Sequence, residues 1–307
     1  MIIKKNKFPK IREIIFSVRQ YITIITLLIC IIFFLKNFDF SQSVKILNFS
    51  NTFKLFIIFS LFLFFESMLF QKILSPFIKI SIYLSYSLTV VSYFLNLILP
   101  FSGIGFRYLF LKTNYDFSLK NMFLITSFFY IINFTNLFII LTIIYLFFLE
   151  NIFLYDYKNL IFYILISLFV LVTSGIIISV NKFKILNIFK KYTILNLLFI
   201  SLLMYSLFAV FIFFVINTIR PEFNNILIST LITVFVDLVL VIQILPFGIG
   251  SIELIFYNLL SKINFSQFEI LGVISLFRII IHSLTLILGA ILFYKYFKLS
   301  LKNLNND

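Results

Sequence analysis

Leu245-Pro246-Phe247-Gly248-Ile249-Gly250-Ser251-Ile252-Glu253 interrupts a run of residues apolar enough to lie at membrane depth. A proline, two glycines and a carboxylate are each costly in a lipid-facing helix. They are tolerated where the backbone is buried in protein or lines a wet cavity. The stretch reads as a broken helix inside a membrane domain, with Ser251 placed to cap the short helix that follows and Glu253 in its first turn.

The chain around it has 307 residues, 62% of them hydrophobic and 12% charged. Apolar runs of about 20 residues, the length that crosses a bilayer, recur along it. Spans are expected at 20–35, 53–71, 80–99, 121–149, 160–180, 194–218, 226–245 and 270–294. Two shorter apolar pieces, 101–111 and 251–261, each follow a Leu-Pro-Phe, at Leu99-Pro100-Phe101 and Leu245-Pro246-Phe247. At a rise of about 1.5 Å per residue, each covers roughly half of a 30 Å hydrocarbon core, so both are half-helices. The expected fold is an all-α polytopic membrane protein of about eight transmembrane helices plus two Pro/Gly-initiated half-helices. A single transmembrane domain, 20–294, lies between a basic cytoplasmic segment, 1–19, and a cytoplasmic tail, 295–307.

The formal net charge of +14 does not point to nucleic acid, because the Lys and Arg residues sit in short segments that flank the apolar runs. Such clustering follows the excess of basic residues in cytoplasmic loops. If each half-helix carries the chain on to the opposite side, 17 Lys and Arg residues gather on the cytoplasmic side and six outside, with Arg107 and Arg278 set aside within the membrane. If both half-helices turn back instead, the basic residues divide almost evenly. The first arrangement is expected, with both termini in the cytoplasm of a cell-membrane protein and Pro100 and Pro246 facing opposite sides. Lys4, Lys5, Lys7, Lys10, Arg12 and Arg19 before the run Tyr21 to Leu35 read as an uncleaved signal anchor. The single cysteine, Cys30, forms no disulfide framework within one chain.

A repeat in the sequence agrees with that topology. Leu99-Pro100-Phe101-Ser102-Gly103-Ile104-Gly105 resembles Leu245-Pro246-Phe247-Gly248-Ile249-Gly250, and Asn114-Tyr115-Asp116-Phe117-Ser118 matches Lys262-Ile263-Asn264-Phe265-Ser266 in placing a Phe-Ser before a long apolar helix. The expected inverted repeat pairs about 80–149 with about 226–294, an arrangement that many secondary transporters use to build a site near the midplane. Ser266 and Glu269 have capping-box spacing, which starts the last span near 267.

The residues that could bind a substrate are the ionisable ones at membrane depth. Glu253 either holds a polar headgroup beside the free N–H groups of its helix or satisfies its own helix start. Arg278 needs a partner, and Glu253 is the nearest; the pair either touches substrate or clamps the half-helix. His282 shares the Arg278 face one turn on. Arg107 follows Gly103 and Gly105, which allow close backbone approach, and it either binds an anionic headgroup or snorkels to an interface. Asp237 and Gln243 in the seventh span and Glu66 in the second complete the polar set, and Arg278, being deeper, is expected to matter more than Arg107. There is no P-loop, dinucleotide fingerprint, paired-His metal motif or nucleophile elbow. No catalytic residue, metal or cofactor is expected.

At the second break the chain resembles the membrane region of lysylphosphatidylglycerol synthases and their stand-alone flippase-like relatives. Pro246, Gly248, Gly250 and Glu253 match that family's Pro-Gly-Gly-Glu element, Arg278 its arginine in the following span, and Pro100, Gly103, Gly105 and Arg107 its earlier Pro-Gly-Arg element. The family's first element usually carries a glutamate soon after its glycine, and Gly105-Phe106-Arg107 has none. The resemblance, over a sequence that runs to Asp307, implies the membrane part alone, without the soluble aminoacyl-transferase domain of the full synthases. The resemblance implies a non-enzymatic, flippase-like protein that binds a polar or anionic lipid, phospholipid or polyprenyl-linked, and translocates it. The alternative is a non-transporting membrane partner of a separate glycosyl- or aminoacyl-transferase.

Overall fold

The computed structural model describes residues 49–148, 158–183, 191–242, 248 and 250–304. The basic segment 1–19, the span 20–35 with Cys30, Gln243 and Pro246 lie outside the described residues. Within them the protein is all α-helical: α1 Phe49–Leu74, α2 Ile82–Ile98, α3 Ser102–Tyr115, α4 Leu119–Phe148, α5 Lys158–Phe183, α6 Lys191–Ile219, α7 Ile226–Ile242, α8 Ser251–Ser261 and α9 Gln267–Leu304. Four stretches, in α1, α4, α6 and α9, are long and apolar enough to cross a membrane. Large apolar side chains such as Leu146, Phe147, Leu254 and Tyr294 stay exposed, as expected of a surface bathed by lipid rather than water.

Helix starts follow local chemistry. Ser81 accepts from the Leu84 N–H at 3.1 Å, Asn225 Oδ1 from Leu227 and Ile228 at 3.1 and 3.2 Å. Ser266 and Glu269 form the reciprocal capping box, with the Ser266 N–H donating to Glu269 Oε2 at 2.8 Å and the Glu269 N–H to Ser266 Oγ at 3.3 Å.

The half-helices fold back along the helices that precede them. The Gly103 N–H donates to Asn96 Oδ1 at 2.9 Å and Ser92 Oγ donates to the Gly103 carbonyl at 3.2 Å, so α3 returns beside the second half of α2. Its far end reaches the start of α2: the Phe117 ring meets Phe77 at 6.3 Å, edge to face. In the second copy Phe265 meets Phe223 at 5.9 Å, also edge to face, and Arg220 Nη1 donates to the Asn264 carbonyl at 3.3 Å. Each half-helix therefore brings the chain back to the end at which the preceding helix began. That is the side assignment on which the basic residues divided unevenly: the turn before α4 shares an end with the turn before α2, and Lys295 at that same end reaches Tyr83 at 3.3 Å.

The two copies agree in backbone as well as in sequence. Asp116 and Asn264 both take left-handed conformations, at φ of 52° and 60°, which Asn and Asp tolerate better than other L-residues. The next residue, Phe117 or Phe265, is buried, and the serine after it, Ser118 or Ser266, caps the following span. The repeat also reaches further back than 80 and 226. α1 packs on α6 antiparallel, with Phe62 against Phe208 at 4.8 Å and Phe59 against Phe211 at 5.4 Å. α1 meets α2 as α6 meets α7; α2 lies on α9 and α4 touches α7. Reciprocal contacts of this kind are what a two-fold relationship between α1–α4 and α6–α9 requires, with α5 as the connector.

Candidate functional site

Two breaks in the helices create two different polar clusters. In the second repeat Gly248 and Gly250 have φ of 64° and 85°, the region that only glycine enters at little cost. Gly250, not Ser251, is the N-cap of α8. Its N–H donates to Glu253 Oε2 at 2.6 Å, so the carboxylate covers one orphan donor of its own helix. The other oxygen of Glu253 accepts from Arg278, at 2.8 Å from Nε and 2.6 Å from Nη2. Arg278 Nη2 also reaches the Gly248 carbonyl at 3.4 Å. A guanidinium from the span thus pins both the glycine turn and the first turn of α8, and His282 lies half-buried one turn along α9.

The first repeat is built differently. Gly103 sits so close to α2 that a Cβ there would lie 2.5 Å from the Ser92 carbonyl oxygen. Gly105, by contrast, has nothing within 4 Å of the corresponding position. Pro100 is buried at the tip of the hairpin, and Phe101 adopts a left-handed φ of 62°. The close approach of α3 to α2 carries Arg107 inward rather than to an interface. The residue is 9% exposed, and its Nε donates to Ser92 Oγ at 2.8 Å. The guanidinium lies over the Phe70 ring at 4.5 Å and 3.9 Å from Glu66 Oε1. The Gly105-Phe106-Arg107 segment has no carboxylate of its own, and the one facing Arg107 comes from α1.

Arg107 opens onto a cavity of about 120 Å³, room for several waters or one small polar group. Its wall takes Glu66 from α1, Ser92, Tyr93 and Asn96 from α2, Arg107 from α3, Tyr130 and Asn133 from α4 and Asp237 from α7. Asp237 Oδ2 accepts from the Tyr205 hydroxyl of α6 at 2.7 Å, and Ser201 Oγ of α6 donates to Asn133 Oδ1 at 2.8 Å. Glu66 stands eight residues from the end of α1 and Arg107 eight from the end of α3, both about 12 Å along their axes. The site is therefore deep within the helices and draws on both repeats.

The structure thus brings Arg107 and Asp237 together and holds Glu253, Arg278 and His282 apart from them, none of the three lining the cavity. Glu66 was visible only as one more carboxylate within a span, and Tyr93, Tyr130, Asn96 and Asn133 gave no signal among so many apolar neighbours. One signal was available. Tyr130 stands 13 residues after Phe117, as Arg278 stands 13 after Phe265; Ile104 and Glu253 are each the third residue of their half-helix. Both first-repeat positions line the cavity. Where the second repeat closes an ion pair, the first leaves a hollow.

Among the described residues no group of acids, histidines and cysteines could hold a metal ion. The family model for the lysylphosphatidylglycerol synthase TM region matches residues 20–289. No curated protein and no solved structure matches the chain.

Proposed function

The chain belongs to the lysylphosphatidylglycerol synthase TM-region family, and from that membership we propose that it binds the headgroup of a polar or anionic lipid and moves it across the cytoplasmic membrane. The observation that carries this reading is the deep cavity in which Arg107 faces both repeats. A buried arginine whose nearest carboxylate is 3.9 Å away keeps donors for an incoming phosphate. The cavity suits a headgroup and not acyl chains, which remain in the bilayer. Positive-inside bias puts the end carrying Lys72, Lys79, Lys112, Lys120 and Lys295 in the cytoplasm, and with it the turn between α3 and α4. The family match concerns a membrane region and not a transferase, so no chemistry is assigned to the site.

The test is a leaflet-protection assay on the reconstituted full chain, using phospholipids with fluorescent headgroups. Transport exposes lipid of the inner leaflet to an external quencher. A chain that serves only as the membrane partner of a separate transferase leaves the inner leaflet protected for every lipid class, and that result removes the reading.

A further inference from the structure

Among the described residues, the charged ones of the cavity are two carboxylates, Glu66 and Asp237, and one guanidinium, Arg107. Fully ionised, the set carries one negative charge in surroundings that penalise any uncompensated ion. The positions of the protons are suggested by geometry. One oxygen of Asp237 is held by the Tyr205 hydroxyl, and Glu66 Oε1 faces Arg107. Glu66 Oε2 is buried without a hydrogen-bond partner, although the residue is only 7% exposed. A buried oxygen that accepts nothing is a poor place for a carboxylate charge and a suitable one for a carboxylic O–H, which donates instead. Among the described residues the other titratable groups around the pair are the phenols Tyr93, Tyr130 and Tyr205, so the exchangeable protons belong to Glu66 and Asp237.

We propose that the cavity takes up one proton with each singly anionic headgroup, on Glu66 or Asp237. This rests on the lipid reading above and adds its energetics. In the empty cavity Arg107 balances one carboxylate and a proton neutralises the other. A phosphodiester that engages Arg107 takes up the guanidinium's charge, which leaves the remaining carboxylate uncompensated, and a second proton restores neutrality. No covalent bond changes other than O–H formation, and the headgroup with its proton crosses without net movement of charge. An acid compartment therefore drives the lipid toward the alkaline side, and the transmembrane potential does no work on it.

The experiment uses the full chain in phosphatidylcholine vesicles with phosphatidylethanolamine labelled on its amine by a fluorophore, which leaves a single phosphodiester charge. A gradient of about one pH unit is expected to shift the leaflet ratio about tenfold toward the alkaline side. A potassium diffusion potential of about 100 mV is expected to leave the ratio unchanged. Lipid that ignores the pH gradient and follows the potential, by roughly fifty-fold at about 100 mV, overturns the proposal while leaving lipid movement intact. A ratio set by a sodium gradient does the same. Absence of movement in every arm overturns the lipid reading itself, and the proposal with it. Either carboxylate alone can still take the one proton, so the double variant Glu66→Gln with Asp237→Asn, checked for folding by thermal unfolding and gel filtration, is expected to lose the pH-driven shift. A tenfold response retained in the folded double variant rejects these carboxylates as the carriers.

Discussion

Glu66 and Glu253 each face an arginine at membrane depth, but 10% of the Glu66 side chain is accessible against 34% for Glu253. The difference decides which ion pair the fold depends on. An uncompensated buried charge costs several kcal/mol, whereas a carboxylate that can turn toward water or headgroups costs far less.

Arg107→Ala is therefore expected to destabilise the protein by about 3–5 kcal/mol, and Arg278→Ala by about 1–2 kcal/mol. This reverses the ranking that depth along the helix suggests. Thermal unfolding of the purified variants measures it, and the double variant Arg107→Ala with Glu66→Gln should regain most of the loss. Equal melting temperatures for the two single arginine variants would contradict the argument.

Gly103 and Gly105 should respond oppositely to the same substitution. A methyl at Gly103 collides with the Ser92 backbone, so Gly103→Ala must part α3 from α2 and should cost about 1–3 kcal/mol or more. Gly105→Ala meets nothing and should be neutral or stabilising by up to about 1 kcal/mol, as expected for Gly to Ala inside a helix. Paired melting curves suffice to check both.

The matched turns offer a test of the repeat. Asp116→Gly and Asn264→Gly relieve a left-handed φ and should leave stability unchanged or raised by up to about 1 kcal/mol. Asp116→Val and Asn264→Val should each cost about 1–2 kcal/mol. A site that tolerates valine while its counterpart does not would show that the two turns are not equivalent.

Topology can be read with a membrane-impermeant thiol reagent in a Cys30→Ser background. Thr113→Cys and Lys120→Cys should react from one side and Glu222→Cys from the other, because α3 returns to the end at which α2 begins and α7 begins at the opposite end. Labelling of Thr113→Cys and Glu222→Cys from the same side would refute the paired hairpins.

Much of this architecture was legible in the residues. Pro100 and the pair Gly248 and Gly250 marked the breaks, since no lipid-facing helix accommodates them. Phe117-Ser118 and Phe265-Ser266 marked the returns, each a Phe-Ser ahead of a long apolar helix, whereas the left-handed turn at Asp116 and Asn264 emerged only in the structure. The spacing of Ser266 and Glu269 located the start of α9. Helix rotation was not legible. Helices that are apolar on nearly every side lack the amphipathic stripe that tells one face from another, so Glu66 and Asp237 could not be turned toward Arg107 in advance. The partner of Arg278 was easier to foresee because Glu253 lay in the adjoining helix. The partner of Arg107 lies 41 positions earlier in the chain, across an intervening helix.

The contact between α2 and α9 also sets the order in which the protein can be completed. Ile98 and Gln267 are separated by 169 positions, so at roughly 5–20 residues per second the ribosome needs about ten to thirty seconds to supply the surface against which α2 finally rests. During that interval the first hairpin must persist in the bilayer on its own backbone contacts, Gly103 against Ser92 and Asn96, with Arg107 already matched to Glu66 from the helix made just before. The early pair is thus a provision for biogenesis: a nascent chain carrying its own counter-ion can wait in the membrane for its second half.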